Sequence, residues 1–293
     1  MSSRTAQKCI CCDSEQLKQM PAVLLPFISH RVFDWAPVEI DDSWDLGRYG
    51  IKNGMAYSLC NSLQCVQCDH LFLDIRFNDE EMSKLYDGYR EEEYIKLRDL
   101  YEDGYRQRNQ KLNLGYNYVR DIEAFLLPHV GRANGLAILD WGGDTGKNTP
   151  FHNKNNKLHI YDISDRPVIG EAQKVDKVAA QSSQYDLVVC SNVLEHVPYP
   201  SSVLKEIREA MSTDTILYIE LPYENLVRRA EERSSLGDLY TTKRHWHEHI
   251  NFFNARSIEK ILYKMNFEIL ELETLRISGE IADYVYEVAC RVQ

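Results

Sequence analysis

Six of the eight cysteines lie within the first 68 residues: Cys9, Cys11, Cys12, Cys60, Cys65 and Cys68. Cys9-x-x-Cys12 and Cys65-x-x-Cys68 each place two thiols on one turn, the spacing at which both sulfurs reach a tetrahedral zinc ion at about 2.3 Å. Four sulfur ligands leave no position for water or substrate, so the expected zinc is structural. Cys11, Cys60 and His70 remain as stand-in ligands. Disulfides are disfavoured in a reducing compartment, and Cys190 and Cys290, within apolar runs of strand character, read as core.

A second concentration of reactive side chains is His245-Trp246-His247-Glu248-His249. Histidine titrates near neutrality and a neighbouring carboxylate can orient or stabilise the imidazolium, which favours acid-base chemistry. A metal site is the weaker reading, because consecutive residues point in different directions and only His245 and His249 approach helical ligand spacing. Glu195-His196, just after the apolar run Tyr185–Cys190, is the other titratable pair. For both, the plain alternative is a polar turn whose aromatic neighbours pack under a sheet.

These groups need a frame. Ala137-Ile-Leu139 has strand character and leads through Asp140 into Gly142, Gly143 and Gly146. Glycines there allow positive φ and let a ligand approach main-chain N–H groups. The spacing departs from G-x-G-x-x-G. Lys157–Tyr161 is a second apolar-alternating run ending in Asp162, where a βαβ unit holds the hydroxyls of a ribose. Residues 137–162 are therefore expected to form strand, turn, helix and strand. Ile163 beside the second strand tip, and Ser191 and Asn192 after the Tyr185–Cys190 strand, complete the candidate cofactor contacts.

Three segments are expected. Residues 1–75, with short apolar runs broken by Pro21, Pro26, Pro37, Gly47, Gly50 and Gly54, form a zinc-binding module of strands and turns. Residues 76–114 are charged and aromatic with helical spacing, interrupted at Gly88 and Gly104. In this linker or lid, Tyr89, Arg90, Tyr94 and Arg98 suit a hydroxyl-rich, anionic ligand. Residues 115–293 form the α/β domain. It holds a helix over 116–127 whose inner face is Tyr118, Ile122, Phe125 and Leu126, a strand over 215–221, helices over 201–211, 225–240 and 256–265, and two closing strands over 267–277 and 282–292.

Composition narrows the partners. The chain has 293 residues, 44% hydrophobic and 27% charged, as expected of a globular protein. A net charge of −11 without any Lys/Arg block disfavours nucleic acid or anionic lipid and points to a small-molecule substrate. No apolar stretch approaches the length of a membrane span, and the cysteine-rich start does not read as a signal region, so the expected location is cytoplasmic. Nothing in the residues sets the oligomeric state.

Asp140-x-Gly-Gly-x-x-Gly146, the acidic tip at Asp162, the Tyr185-Asp-Leu-Val-Val strand and the Val193-Leu-Glu-His-Val197 turn together resemble the class I S-adenosylmethionine-dependent methyltransferases. The resemblance implies a seven-stranded Rossmann-like α/β sheet carrying S-adenosylmethionine. Zinc knuckles ahead of such a domain, with a later His-Glu-His-x-x-Phe-Phe stretch, are similar to the methyltransferases of nucleotide-linked deoxysugars. Those carry a Tyr-His-Glu-His segment beside the sugar, implicated in proton abstraction and enolate stabilisation. By that likeness His247, Glu248 and His249, with His196 as a further candidate, are the acid-base residues, and Trp246, at the tyrosine's place, contacts substrate. The implied reaction is O- or C-methylation of a sugar or glycan intermediate. Alternatives are an RNA base methyltransferase and a non-catalytic S-adenosylmethionine-binding interaction protein.

Overall fold

The computed structural model describes residues 4–40, 54–164, 166–277 and 284–293. Gly47, Gly50 and the start of the closing strand at Ala282 lie outside the described residues.

The chain opens with β1 (Leu17–Leu24), α1 (Pro26–Phe33), β2 (Val38–Ile40), β3 (Gly54–Ala56), β4 (Ser58–Cys65) and β5 (Leu71–Leu73). Proline in the first turn starts α1, and Asp34 in the left-handed conformation ends it. Three short helices follow: α2 (Asp79–Tyr86), α3 (Glu92–Tyr101) and α4 (Tyr105–Leu112). Asn78 and Glu81 form a reciprocal capping box at the start of α2. The breaks expected at Gly88 and Gly104 are there, both with positive φ.

From α5 (Val119–Val130) onward the pattern alternates: β6 (Ala137–Trp141), β7 (Lys157–Tyr161), β8 (Gln173–Lys174), α6 (Lys177–Ser182), β9 (Leu187–Ser191), α7 (Pro200–Glu209) and β10 (Ile216–Pro222). Then come α8 (Asn225–Glu232), α9 (Leu239–Thr242), β11 (His245–Trp246), β12 (Asn251–Phe252), α10 (Ala255–Lys264), β13 (Phe267–Arg276) and β14 (Tyr284–Val292). The large sheet runs β13-β14-β10-β9-β6-β7-β8. Strands β6 to β10 pair in parallel, and β14 joins β10 antiparallel with β13 outside it. Ile122, Phe125 and Leu126 of α5 cover one face together with Ile138, Leu158 and Val189. Leu204 and Ile207 of α7 and Ile258, Ile261 and Leu262 of α10 cover the other. Strands buried on both faces read as continuous apolar runs, which is why they are visible in the sequence.

The helix expected over 225–240 ends at Glu232 and helical structure resumes only at Leu236, and two larger features depart from expectation. Residues 142–156 contain no helix, so the path from β6 to β7 is strand, irregular loop, strand. The segment Gly146-Lys-Asn-Thr-Pro-Phe-His-Asn-Lys-Asn-Asn156 has no apolar stripe to bury, and asparagine side chains compete for its backbone. Asn153 Oδ1 accepts from the Asn155 amide at 2.9 Å, while Asn156 accepts from the Leu136 amide at 2.9 Å and donates to the Phe151 carbonyl at 2.8 Å.

The second departure is the smaller sheet, ordered β11-β1-β4-β5-β12, whose two edge strands come from residues 245–252. β11 runs parallel to β1 and β12 antiparallel to β5. The His247–Ile250 link between them therefore crosses where the small sheet meets the carboxyl edge of the large one.

Candidate functional site

The order of the large sheet reverses between β6 and β9, and ligands in open α/β sheets bind at the carboxyl ends of strands at such a switch point. Gly142 leaves β6 with φ +83° and donates its N–H to the Tyr161 carbonyl at 2.7 Å. A Cβ on Gly143 would lie 2.5 Å from Asp140 Cγ. Asp140 itself is buried under the loop, accepts from Thr149, and is pushed up to about 7 by burial. It positions the loop from below. Asp162 stands at the tip of β7, where its carboxylate accepts the Asp144 amide at 2.8 Å and the Ser164 amide at 2.7 Å. Carboxylate oxygens so oriented keep lone pairs that could accept the two hydroxyls of a ribose. Ile163 is exposed on the rim. Asn192, in the left-handed region after Ser191, donates to Glu220 at 2.6 Å and to Tyr116 Oη at 3.1 Å.

One turn beyond Asn192 the chain presents Glu195 and His196. The Glu195 carbonyl accepts the Ile250 and Asn251 amides at 2.8 and 3.1 Å, and Asn251 Nδ2 donates to the carbonyls of Leu194 and Val197. These bonds zip the turn after β9 to the segment before β12, so His196 and His249 meet edge to face with ring centroids 4.6 Å apart. His249 Nδ1 lies 2.6 Å from Glu224 Oε1. Burial pulls the His249 imidazolium down, but the Glu224 carboxylate outweighs it and raises the group to about 9. His196 Nδ1 donates to the Glu248 carbonyl at 3.1 Å; burial, then the charge of His249, lowers it to about 3. Glu195 is 1% exposed, and burial pushes its carboxyl up to about 8.

The other histidine-cluster residues are tied elsewhere. His247 Nε2 sits 2.5 Å from Glu102 Oε1, and its ring stacks on Phe27. Glu248 takes a bidentate clamp from Arg98 at 2.8 and 2.9 Å, and Arg98 also bonds Glu102 at 3.0 Å. Although burial opposes ionisation, the Arg98 charge holds Glu248 far below the usual carboxylate range. Trp246 is fully buried in the small sheet with its indole N–H on Ser62 Oγ at 2.9 Å, leaving no surface for an acceptor. Arg98→Ala is expected to destabilise the fold by about 1–3 kcal/mol, because it takes the bidentate partner from the half-buried Glu248 carboxylate. Urea denaturation checks this, and a change below about 1 kcal/mol would mean that water solvates Glu248.

Helices α2 to α4 lie over this edge. Tyr86, Tyr89 and Tyr94 form a chain of edge-to-face contacts at 5.5 and 5.4 Å that reaches His196 through Tyr86. The Tyr86 and Tyr94 hydroxyls are buried with no hydrogen-bond partner among the described residues. Arg90 lies over Tyr89 and reaches Asp144 at 3.5 Å, and Arg166 also pairs with Asp144. The segment between α2 and α3 is thus pinned to the glycine loop.

The two cysteine knuckles converge. Cys9 and Cys68 sulfurs are 3.5 Å apart, as are those of Cys12 and Cys65, and all four lie within 4.8 Å of one another. Each knuckle closes on an aspartate in the left-handed region: the Asp13 amide bonds Cys9 O, and the Asp69 amide bonds Cys65 O. Cys11, Cys60 and His70 stay out of the quartet. His70 is buried between Phe72 and Phe253.

Residue types alone missed Asp144, Glu102 and Glu224. Glu224 was within reach of a rule, since it follows the fifth parallel strand at the edge where ligands gather. Glu102 carried no such signal.

A parallel sheet in the spatial order third-second-first-fourth-fifth, closed by an antiparallel seventh and sixth strand and carrying a glycine loop and an acidic tip, defines the class I methyltransferase fold. Residues 105–272, more than half of the chain, match the family described as methyltransferase domain. The chain belongs to that family and is an S-adenosylmethionine-dependent methyltransferase. Among solved structures it is similar to 1,6-didemethyltoxoflavin-N1-methyltransferase of Burkholderia thailandensis, with a TM-score of 0.50, 14% identity, and coverage of 78% of this chain and 98% of that one. It is also similar to magnesium protoporphyrin IX methyltransferase of Synechocystis PCC 6803, with a TM-score of 0.48, 19% identity, and coverage of 72% and 100%. These likenesses concern the fold. No curated protein matches the chain. No described helix is long and apolar enough to cross a membrane.

Proposed function

We propose that this enzyme methylates a small, hydroxyl-rich acceptor of the sugar or sugar-nucleotide type at oxygen or carbon. The observation that supports this reading is a set of buried polar atoms with no hydrogen-bond partner among the described residues: both Glu195 oxygens, the Tyr86 hydroxyl next to His196 and, further along the tyrosine chain, the Tyr94 hydroxyl. Each such group costs about 1–3 kcal/mol when left unpaired, and a ligand bearing several hydroxyls offsets that cost.

S-adenosylmethionine supplies an electrophilic methyl group when bound. Asp162 would hold its ribose, the amides after Gly142 would line its path, and Asn192 would face it from β9. Val193 touches the glycine loop, and Glu195 and His196 follow within three residues, so the acceptor would meet His196 and His249 next to the methyl donor. Glu224 orients His249, while Tyr89, Tyr94 and Arg90 cap the site from above.

The cysteine quartet would hold a structural zinc ion. Tetrahedral sulfur ligands at about 2.3 Å stand about 3.7 Å apart, close to the observed spacing. In this organisation residues 1–75 and 76–114 form the zinc-bearing base and lid of a methyltransferase domain spanning 115–293.

The test is incubation with methyl-labelled cofactor and a panel of nucleotide sugars, small phenols and RNA, with the label located by mass spectrometry. Label on a sugar is expected, with His249→Gln lowering kcat about 100-fold or more at unchanged cofactor affinity. Label on RNA alone, or cofactor binding without turnover on any acceptor, would overturn the reading. The net charge of −11 stands against RNA.

A further inference from the structure

We propose that Glu195, His196 and His249 form a binding site for a divalent first-row transition cation, separate from the cysteine quartet. One oxygen of Glu195 and one ring nitrogen of each histidine lie within 4.8 Å of one another. His196 Nε2 is 3.8 Å from Glu195 Oε1.

The hydrogen bonds fix which nitrogens are available. A backbone carbonyl only accepts, so His196 Nδ1 must donate to Glu248 O, leaving the Nε2 lone pair on the side of Glu195. The Glu224 carboxylate likewise takes the Nδ1–H of His249, leaving Nε2. A histidine whose second nitrogen donates to a carboxylate or a backbone carbonyl is the arrangement that orients a metal-ligating imidazole.

Glu195 supplies the independent observation. Its carboxylate is 1% exposed, and neither oxygen has a hydrogen-bond partner among the described residues. A buried carboxylate is retained when it is paired or when it coordinates a metal. Its backbone is anchored by the Ile250 and Asn251 amides, and Asn251 is held in turn by Arg76, so the three ligands stand on a rigid, buried scaffold. Ligands at about 2.1 Å stand about 3.0–3.5 Å apart, and side-chain rotations of about 1 Å close the present spacing.

Two imidazoles and one carboxylate select manganese, iron, cobalt, nickel or zinc over magnesium, which prefers an all-oxygen shell. Three protein ligands leave the remaining positions for acceptor oxygens, whose protons a bound cation makes more acidic. The inference concerns the site read above as the acceptor site, but its test does not depend on that reading.

The full chain, purified with its cysteine quartet loaded with zinc, is titrated with Co²⁺ and followed by calorimetry and visible absorption. One further equivalent is expected, with weak d–d bands and no sulfur-to-cobalt charge transfer. His249→Gln and Glu195→Gln are expected to abolish this uptake, and Glu224→Gln, which removes only the orienting charge, to weaken it about 10- to 100-fold. Cofactor affinity monitors folding, and His196→Gln substitutes for any variant that fails to fold. Absence of a second equivalent, or uptake unchanged in these variants, overturns the site. Full transfer by chelator-treated enzyme that retains its thiolate zinc also overturns it while sparing the acceptor reading. Cobalt uptake without transfer to any sugar does the reverse.

Discussion

Cys68→Ser is predicted to remove the metal from the cysteine quartet and to melt the small sheet, at a cost of several kcal/mol and at most about 10. The quartet ties the segment before β1 to the turn between β4 and β5, and its cysteines lie in or against the same buried cluster as Phe72, Leu139 and Phe253. Losing the metal therefore loosens the base on which the His247–Ile250 link rests, and methyl transfer is expected to fall with it. Metal content and the thermal midpoint check this. Cys60→Ser, which changes a cysteine in the separate core of the small sheet, is expected to keep the metal. A Cys68→Ser chain that retains one equivalent of zinc and melts with the wild type would remove the structural role.

Gly142→Val is predicted to reduce cofactor affinity at least 100-fold. Two costs combine at this position. A β-branched residue is strained at φ +83°, and its Cβ would lie 2.5 Å from Val193 Cγ2. Relief requires the loop or the turn after β9 to move, which displaces the amides near Asp162 and the start of the Glu195-His196 segment together. Gly135→Ala separates the two effects. Its φ is +72° with nothing within 4 Å of the added carbon, so it is expected to cost about 1 kcal/mol of stability with cofactor affinity intact. Equal cofactor affinity in the Gly142→Val and wild-type proteins, measured by calorimetry, would show that this loop is not the cofactor's seat.

The large sheet was legible because its strands are buried on both faces and so read as apolar runs: 137–141, 187–191 and 216–222 all fall where periodicity placed them. The knuckles were legible because two thiols on one turn is a local constraint. The helix expected after the glycine loop was not there, because Asn153 and Asn156 take over the backbone bonds that a helix would have made. The boundary of the small sheet was hidden for a different reason. His245–Trp246 and Asn251–Phe252 are too short to carry a periodic signal, and they pair with strands some two hundred residues earlier.

The sequence alone determined the class: apolar runs mark the strands, and the glycine loop, Asp162 and the Val193–Val197 turn carry the resemblance that implies their order in the sheet. Only the tertiary structure decided which members of the His245–His249 cluster face the sheet edge. Arg98 clamps Glu248, Glu102 holds His247 and the small sheet swallows Trp246, which leaves His249 to meet His196 and Glu195. The physical reason is that a side chain's role is set by its long-range partners, and those partners lie up to 184 positions away along the chain.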